Sequence, residues 1–304
     1  MKHYYSLNDY FKNKYNRKVY KLSINGGMTC PNRDGTLGTK GCIFCSSGGS
    51  GEFSTDFNID IKTQLKTAME RVRNKTKDNL FIAYFQPYTN TYQSVEYLKK
   101  IFTEAIECEF ICGLAIATRP DCLDDNIIKL LAELNSIKPI WVELGLQTIH
   151  KKTADYIRRG YDLNVYDTAV KNLHNSNIEV VTHLILGLPG ENEEMILESV
   201  KYVGKHTDGI KLQLLHVIEG TDLAKDYADN KFNALSLEKY TDLLCKSIEV
   251  LPEHIVIHRI TGDGPKNMLI APLWSGDKKR VLNYINKELD NRNIIQGSKN
   301  EQAD

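Results

Sequence analysis

From Tyr20 onward, short β-branched runs alternate with amphipathic stretches of helical period, and no feature of the chain restricts its fold more. A strand that returns parallel to its neighbour needs a crossover helix, so repeated βα units build a parallel sheet covered by helices. The runs lie at 19–24, 80–85, 111–118, 140–146, 179–186 and 210–215, with a candidate seventh at 255–260. Helical stretches separate them at 59–74, 94–107, 124–134, a pair spanning 150–175, then 193–205 and 236–250. This pattern predicts an α/β fold, a partial (β/α)6 TIM-like barrel of parallel strands with short N- and C-terminal extensions; a doubly wound sheet has the same pattern. The chain divides into a basic, aromatic arm (1–18), the barrel core (19–252), an extension (253–292) with a helix at 277–291, and a polar tail (293–304) expected to be disordered.

In either architecture the chemistry belongs at the carboxyl ends of the strands. Residues capable of it do recur there. Gln86-Pro87-Tyr88-Thr89-Asn90 follows the second run and Thr118-Arg119-Pro120-Asp121 ends the third. Glu143 and Gln147 close the fourth, Gly187-Leu188-Pro189-Gly190 follows the fifth, and His216 follows the sixth.

The loop after the first run is the longest, and it carries Cys30, Cys42 and Cys45 as C-x11-C-x2-C among many glycines. A long ordered connection in a compact α/β chain is usually functional. A CxxC pair sets two thiolates on one ion or cluster, and close backbone amides can hydrogen-bond the sulfurs. Structural zinc normally takes four protein ligands, whereas a cluster with three leaves one iron open. The loop therefore favours a cluster, with zinc completed by His3 or His183 as the alternative. The other four of the seven cysteines, Cys108, Cys112, Cys122 and Cys245, sit in apolar patterned segments and read as core residues.

Lysine plus arginine equals aspartate plus glutamate at 39 each, so no bulk field drives the chain onto DNA or a membrane. No apolar run is long enough to span a bilayer, and the first residues lack a signal-peptide core, which predicts a cytoplasmic protein. Local polyanion binding is left to the arm, where Lys12, Lys14, Arg17 and Lys18 interleave with Tyr10, Phe11, Tyr15 and Tyr20. The other reading of the arm is a segment packed under the barrel.

With Phe44 just before the last cysteine, the cysteine loop resembles that of the radical S-adenosylmethionine (SAM) superfamily. The usual spacing between the first two cysteines is three residues, and here it is eleven. Ala117-Thr118-Arg119-Pro120-Asp121-Cys122, Val142-Glu143-Leu144-Gly145-Leu146-Gln147, Arg158-Arg159-Gly160 and His183-Leu184-Ile185-Leu186-Gly187-Leu188-Pro189-Gly190-Glu191 resemble, in order, the barrel of the Elongator catalytic subunit and its relatives. The nearest resemblance is to a bacterial radical SAM family of about this length, through Tyr84-Phe85-Gln86-Pro87-Tyr88-Thr89-Asn90-Thr91 and Ala271-Pro272-Leu273-Trp274-Ser275.

This resemblance implies that Cys30, Cys42 and Cys45 ligate three irons of a [4Fe–4S] cluster, with SAM chelating the fourth. It places Phe44 near the adenine, Glu143 and Gln147 at the methionine or ribose, and Arg159 at the SAM carboxylate. Gly187, Pro189 and Gly190 would bring backbone to the adenosine. Many members hold the SAM amino group with Gly-Gly-Glu; here Gln86 or neighbouring carbonyls would substitute. Tyr88, His183 and His216 are the catalytic candidates, with Gln213 and Asp263 beside them on the substrate side. Without a pocket, Glu143 would be a buried acid paired with Arg119 or Arg159, Arg119 and Asp121 a helix cap, and Gly187–Gly190 a plain turn.

The implied reaction begins with one electron, from a flavodoxin- or ferredoxin-type donor, that cleaves SAM to a radical able to abstract hydrogen. Relatives with this barrel modify wobble uridines, so tRNA is the expected substrate. The alternatives are a radical SAM enzyme acting on a small metabolite or tetrapyrrole, and a zinc-stabilised non-catalytic RNA-binding protein.

Overall fold

The computed structural model describes residues 2–49, 51, 54–75, 79–262 and 264–300. In chain order the elements are α1 (Leu7–Tyr15), β1 (Tyr20–Ile24), α2 (Ile61–Val72), β2 (Phe81–Phe85), α3 (Val95–Ile106), β3 (Ile111–Thr118), α4 (Asp125–Asn135), β4 (Ile140–Gln147), α5 (Lys151–Tyr156) and α6 (Leu163–Asn175). There follow β5 (Glu179–Leu186), α7 (Glu193–Gly204), β6 (Gly209–Leu214), β7 (Val217–Ile218), α8 (Asp222–Ala228), α9 (Leu237–Val250), β8 (Val256–Arg259), β9 (Leu269–Ala271) and α10 (Lys278–Asn291).

Among the described residues seven strands form one sheet in the order β1-β2-β3-β4-β5-β6-β8, each pair parallel. The sheet is curled into a partial barrel, one strand larger than the six-unit reading. β1 and β8 are its outermost strands, and β8 is bridged on its outer side by the segment before α1, the Ile257 amide donating to the Tyr5 carbonyl at 2.8 Å. The alternation of side chains along each strand sorts the residues onto two faces. Leu114, Ile116, Val142 and Leu144 face the helices in the main core, while Ala115, Ala117, Trp141 and Val181 face the hollow. Most helices start where a short polar side chain takes up free backbone amides: Asp60, Ser94, Asp124, Asn192, Thr221 and Ser236 each accept from the first turn of the next helix.

The arm contains a helix, α1, opened by a capping box between Ser6 and Asp9. It closes the barrel from below. Phe11 is buried with its ring centroid 6.0 Å from that of Trp141, at the start of β4. Tyr10 donates its hydroxyl to the Glu179 carboxylate at 2.8 Å, at the start of β5. The arm is thus a plug at the amino ends of the strands and lays no basic track toward the opposite mouth.

Residues 293–300 are packed, in contrast to the disorder expected for the tail; residues 301–304 lie outside the described residues. Ile294 and Gln296 are buried. The Gln296 amide donates to the carbonyls of Pro252 and Ile255 and accepts from the backbone of Tyr5. A polar residue with three such partners is ordered by them, which composition alone does not reveal. In the extension, β7 and β9 pair antiparallel, the Ala271–Pro272 bond is cis, and α10 buries Val281, Ile285 and Leu289.

Candidate active site

The eleven-residue spacer folds back on itself. The Cys30 carbonyl accepts from the amides of Arg33 and Asp34, Pro31 from Leu37 and Gly38, and Asn32 from Gly41 at 2.7 Å. That return delivers Cys42 beside Cys30, and a turn closed by the Cys45 amide on the Cys42 carbonyl, at 3.0 Å, sets the third thiol. The unusual spacing therefore leaves the three-cysteine grouping intact. Arg33 fastens the loop from within, its guanidinium donating to the carbonyls of Cys45 and Ser46.

Burial and the neighbouring Cys45 push the Cys42 thiol up to about 11, against the pull of Arg119 and the Asn32 amide. Thiols crowded in this way ionise together only beside added positive charge, which is what a metal centre provides. Among the described residues no three Cys, His, Asp or Glu side chains converge closely enough to hold a single ion. The two histidines considered for zinc are engaged elsewhere: His3 contacts the Ile294 carbonyl and Asp290 at the foot of the barrel, and His183 contacts Glu143.

One cavity runs from the cysteines into the hollow of the sheet. Its lining includes all three cysteines and, among the residues singled out in the sequence, Phe44, Gln86, Tyr88, Glu143, Gln147, Arg159, His183 and Gln213. His216, Gly187, Pro189 and Gly190 are not among the lining residues. His216 lies against Gly262 and Gly264. Gly187, at φ +91°, faces Leu235, while its neighbour Leu188 packs with Ile43 and Ile157. The turn thus supports the cysteine loop from behind. Asp263 falls outside the described residues.

Several predicted residues are held in ways that change their meaning. Tyr88, at φ +59°, donates its hydroxyl to the Ser47 carbonyl at 2.5 Å, and its ring lies where a Cβ on Gly49 would stand, 2.3 Å away. Its hydroxyl therefore anchors the loop that follows Cys45. Arg159 donates to the carbonyls of Leu146, Thr148 and Tyr161. Those bonds fix the end of β4, where Gln147 adopts φ +66° beside the cavity. A positive φ in a non-glycine residue is uncommon and clusters at functional sites. Gln86 accepts from Ser23 at 2.6 Å. Arg119 forms a two-pronged pair with Asp121, at 2.9 and 2.7 Å.

Glu143 is fully buried, and its partners are not the arginines considered for it. Lys21 donates to one oxygen at 2.6 Å, with the Trp141 indole at 3.2 Å; His183 meets the other at 2.9 Å, together with Lys211. Burial opposes the charge, but Lys21, Lys211 and His183 outweigh it and hold the carboxyl well below its usual range. Burial and Lys211 push His183 down to about 4, so it is neutral at pH 7. The sequence reading gave no site role to Lys21, Tyr84, Lys211 or Arg259, of which the last three line the cavity. Their signal was present: Lys21 and Lys211 interrupt strand runs that are otherwise largely apolar.

Residues 30–203 match the description "Radical SAM superfamily". The chain belongs to that superfamily. Residues 207–291 match the radical SAM C-terminal domain. Membership makes this an enzyme that uses a [4Fe–4S] cluster and SAM. The radical SAM chain is 44% identical to the protein YtqA of Bacillus subtilis over 97% of its own length and 92% of that protein. It is 27% identical to the tRNA uridine(34) acetyltransferase of Methanocaldococcus jannaschii, over 57% of this chain and 31% of that one. Its fold resembles the archaeal Methanocaldococcus infernus Elp3, with a TM-score of 0.71 at 20% identity, covering 91% of this chain and 64% of that one. No helix among the described residues is long and apolar enough to cross a membrane.

Proposed function

We propose that this radical SAM enzyme cleaves SAM reductively at a cluster held by Cys30, Cys42 and Cys45 to start a hydrogen abstraction that serves modification of a tRNA wobble uridine. The observation that carries the reading is the single cavity with three thiols at one end and a lysine–acid–histidine group at the other. The bound cofactors supply the electron transfer and the radical. The protein positions them and keeps the chamber dry.

In this reading Phe44 and Gln147 form the wall against SAM, Gln86 and the adjoining carbonyls take the place of Gly-Gly-Glu, and Arg159 acts through the backbone it holds. Tyr88 is a positioning residue, and His183 stands on the substrate side. Glu143 orders the floor rather than touching SAM. A flavodoxin- or ferredoxin-type protein is the proposed electron donor. Support for tRNA comes from the partial match to the archaeal uridine acetyltransferase and the likeness in fold to Elp3. The placement of the basic arm away from the mouth favours the second reading, a small-metabolite substrate.

Anaerobic reconstitution separates the parts. Wild type should hold about four irons and form 5′-deoxyadenosine from SAM and dithionite, and a C30A/C42A/C45A variant should do neither. One zinc and no SAM cleavage would overturn the radical reading. Nucleoside mass spectrometry of tRNA from a strain lacking the gene should show a wobble uridine stalled at an earlier stage; an unaltered profile would sink the tRNA assignment alone.

A further inference from the structure

The floor of the cavity has a layered construction that SAM binding does not explain. In the strand register His183 on β5 lies beside Lys211 on β6, and Lys211 lies beside Arg259 on β8. All three line the cavity. One strand step toward the mouth, Ile185 and Gln213 form the next paired layer and line it too. Two cationic side chains therefore stand at one level of the chamber, with a neutral histidine at their side.

Around Glu143, one acid serves two amines. Glu143 is shared by Lys21 and Lys211, and each of its oxygens already has two partners. Lys211 is buried, and its ammonium reaches Glu143 and, at 3.0 Å, the Tyr84 hydroxyl. An ammonium has three donors, so one is left for whatever enters the chamber. Burying two lysines as ammoniums against one carboxylate is costly, and the cost is relieved either by loss of a proton from one of them or by a further anion.

We propose that Lys211, with Arg259 beside it, is a subsite for a compact oxyanion on the substrate, which enters the barrel with its acidic end toward the floor. The occupant is a carboxylate or a phosphate monoester. The inference rests on the barrel being the substrate chamber of the proposed function, and it holds whether the rest of the substrate is RNA or a metabolite.

The proton inventory of the floor gives the subsite a signature. Burial pushes Lys211 down to about 7; Glu143 on β4 pulls it up, while Lys21 on β1 and Arg259 on β8 push it down. Among the described residues, Tyr84 on β2, His183 on β5 and His258 on β8 are the other titratable groups that face this cluster, with both histidines pushed toward the neutral form. An added anion favours the charged ammonium, so binding near pH 8 takes up a proton, and binding weakens as pH rises.

The test is calorimetric titration of the reconstituted holoenzyme, with SAM present, using sodium acetate and sodium phosphate at ionic strength held constant with chloride. Titrations at pH 6 and 8, in two buffers of different ionisation heat, report the proton. Saturable binding is expected, with proton uptake at pH 8, about tenfold or more weaker in K211M and retained in K211R. K211M leaves Glu143 paired with Lys21, and a urea melt verifies that it folds. Binding of acetate alone assigns a carboxylate end, and binding of phosphate alone a phosphate end. Equal binding in wild type and K211M, no binding beyond chloride, or binding abolished by SAM overturns the proposal, the last by giving the subsite to the carboxylate of SAM. No RNA or turnover is required, so 5′-deoxyadenosine and tRNA assays report the proposed function separately.

Discussion

Lys21 on the first strand holds its ammonium 2.6 Å from the carboxylate of Glu143 on the fourth, across the hollow of the curled sheet. The same ammonium lies 3.4 Å from Nδ1 of His258 on β8, so one side chain spans from the first edge strand toward the last. The interior of the barrel is joined by charge as well as by apolar packing.

Removing the centre of that cluster should be expensive. Glu143→Gln leaves two buried ammoniums without a counter-charge and is expected to cost about 3–5 kcal/mol. In urea unfolding, adding K211M to E143Q should recover part of the loss, because one stranded charge goes with it. Strictly additive losses would show that Glu143 and Lys211 are not coupled.

Stability should fall on mild acidification. The folded protein holds His183 near 4 against an ordinary value of 6.5, because burial and Lys211 disfavour its charge. Between those pH values the unfolded chain binds a proton that the folded chain does not, so stability drops as pH falls through the window and levels off above it. His258 is displaced in the same direction. The urea midpoint of H183Q should depend less on pH between 6.5 and 4.5 than that of wild type; parallel curves would exclude His183 as a source.

Arg33 should govern how long the cluster survives. Its guanidinium holds the two carbonyls that follow the last thiol of the loop. Loss of such an outer partner typically costs 10–100-fold in metal affinity. Arg33→Met is expected to bleach about tenfold or more faster under chelator, read from the visible absorbance, without loss of the fold by circular dichroism. A bleaching rate equal to wild type would confine Arg33 to a solvent-facing role.

The plug gives a matched pair of expectations. Phe11→Ala opens a void against Trp141 and should cost about 3–5 kcal/mol, checked by urea unfolding. Lys12→Glu with Lys18→Glu, on the same arm, should leave tRNA affinity unchanged, because the arm lies at the amino ends of the strands. A marked loss of tRNA binding in the charge-reversed protein would place RNA at the foot of the barrel.

Strand positions were legible to within a residue or two because a parallel sheet flanked by helices needs near-continuous apolar runs, and such runs are plain in the sequence. β3 and β5 fall on their expected limits, 111–118 and 179–186. Helix α1 was not legible as a helix: its one buried residue, Phe11, sits among lysines and tyrosines that read equally well as a solvated arm. At the site, the cysteines were readable from type and spacing, since few structures need three thiols in one glycine-rich loop. Residues acting through long-range geometry were less so. Glu143 was noticed but given the wrong partners, because Lys21 and Lys211 lie 122 and 68 positions away and meet it only when the sheet curls. Gly187 and Pro189 carried the expected turn, yet the turn supports the cysteine loop through Leu188 instead of lining the cavity.

The bonds from Gln296 to His3 and Tyr5 have a practical consequence for handling the enzyme. Both ends of the described chain are stitched together at the pole of the molecule opposite the cysteines. An affinity handle or surface tether at either end would present the reactive face outward, clear of the support and open to a redox partner. A short peptide joining the two ends should likewise be accommodated, so that new termini could be cut into an outer turn and the order of the units rearranged without disturbing the chamber.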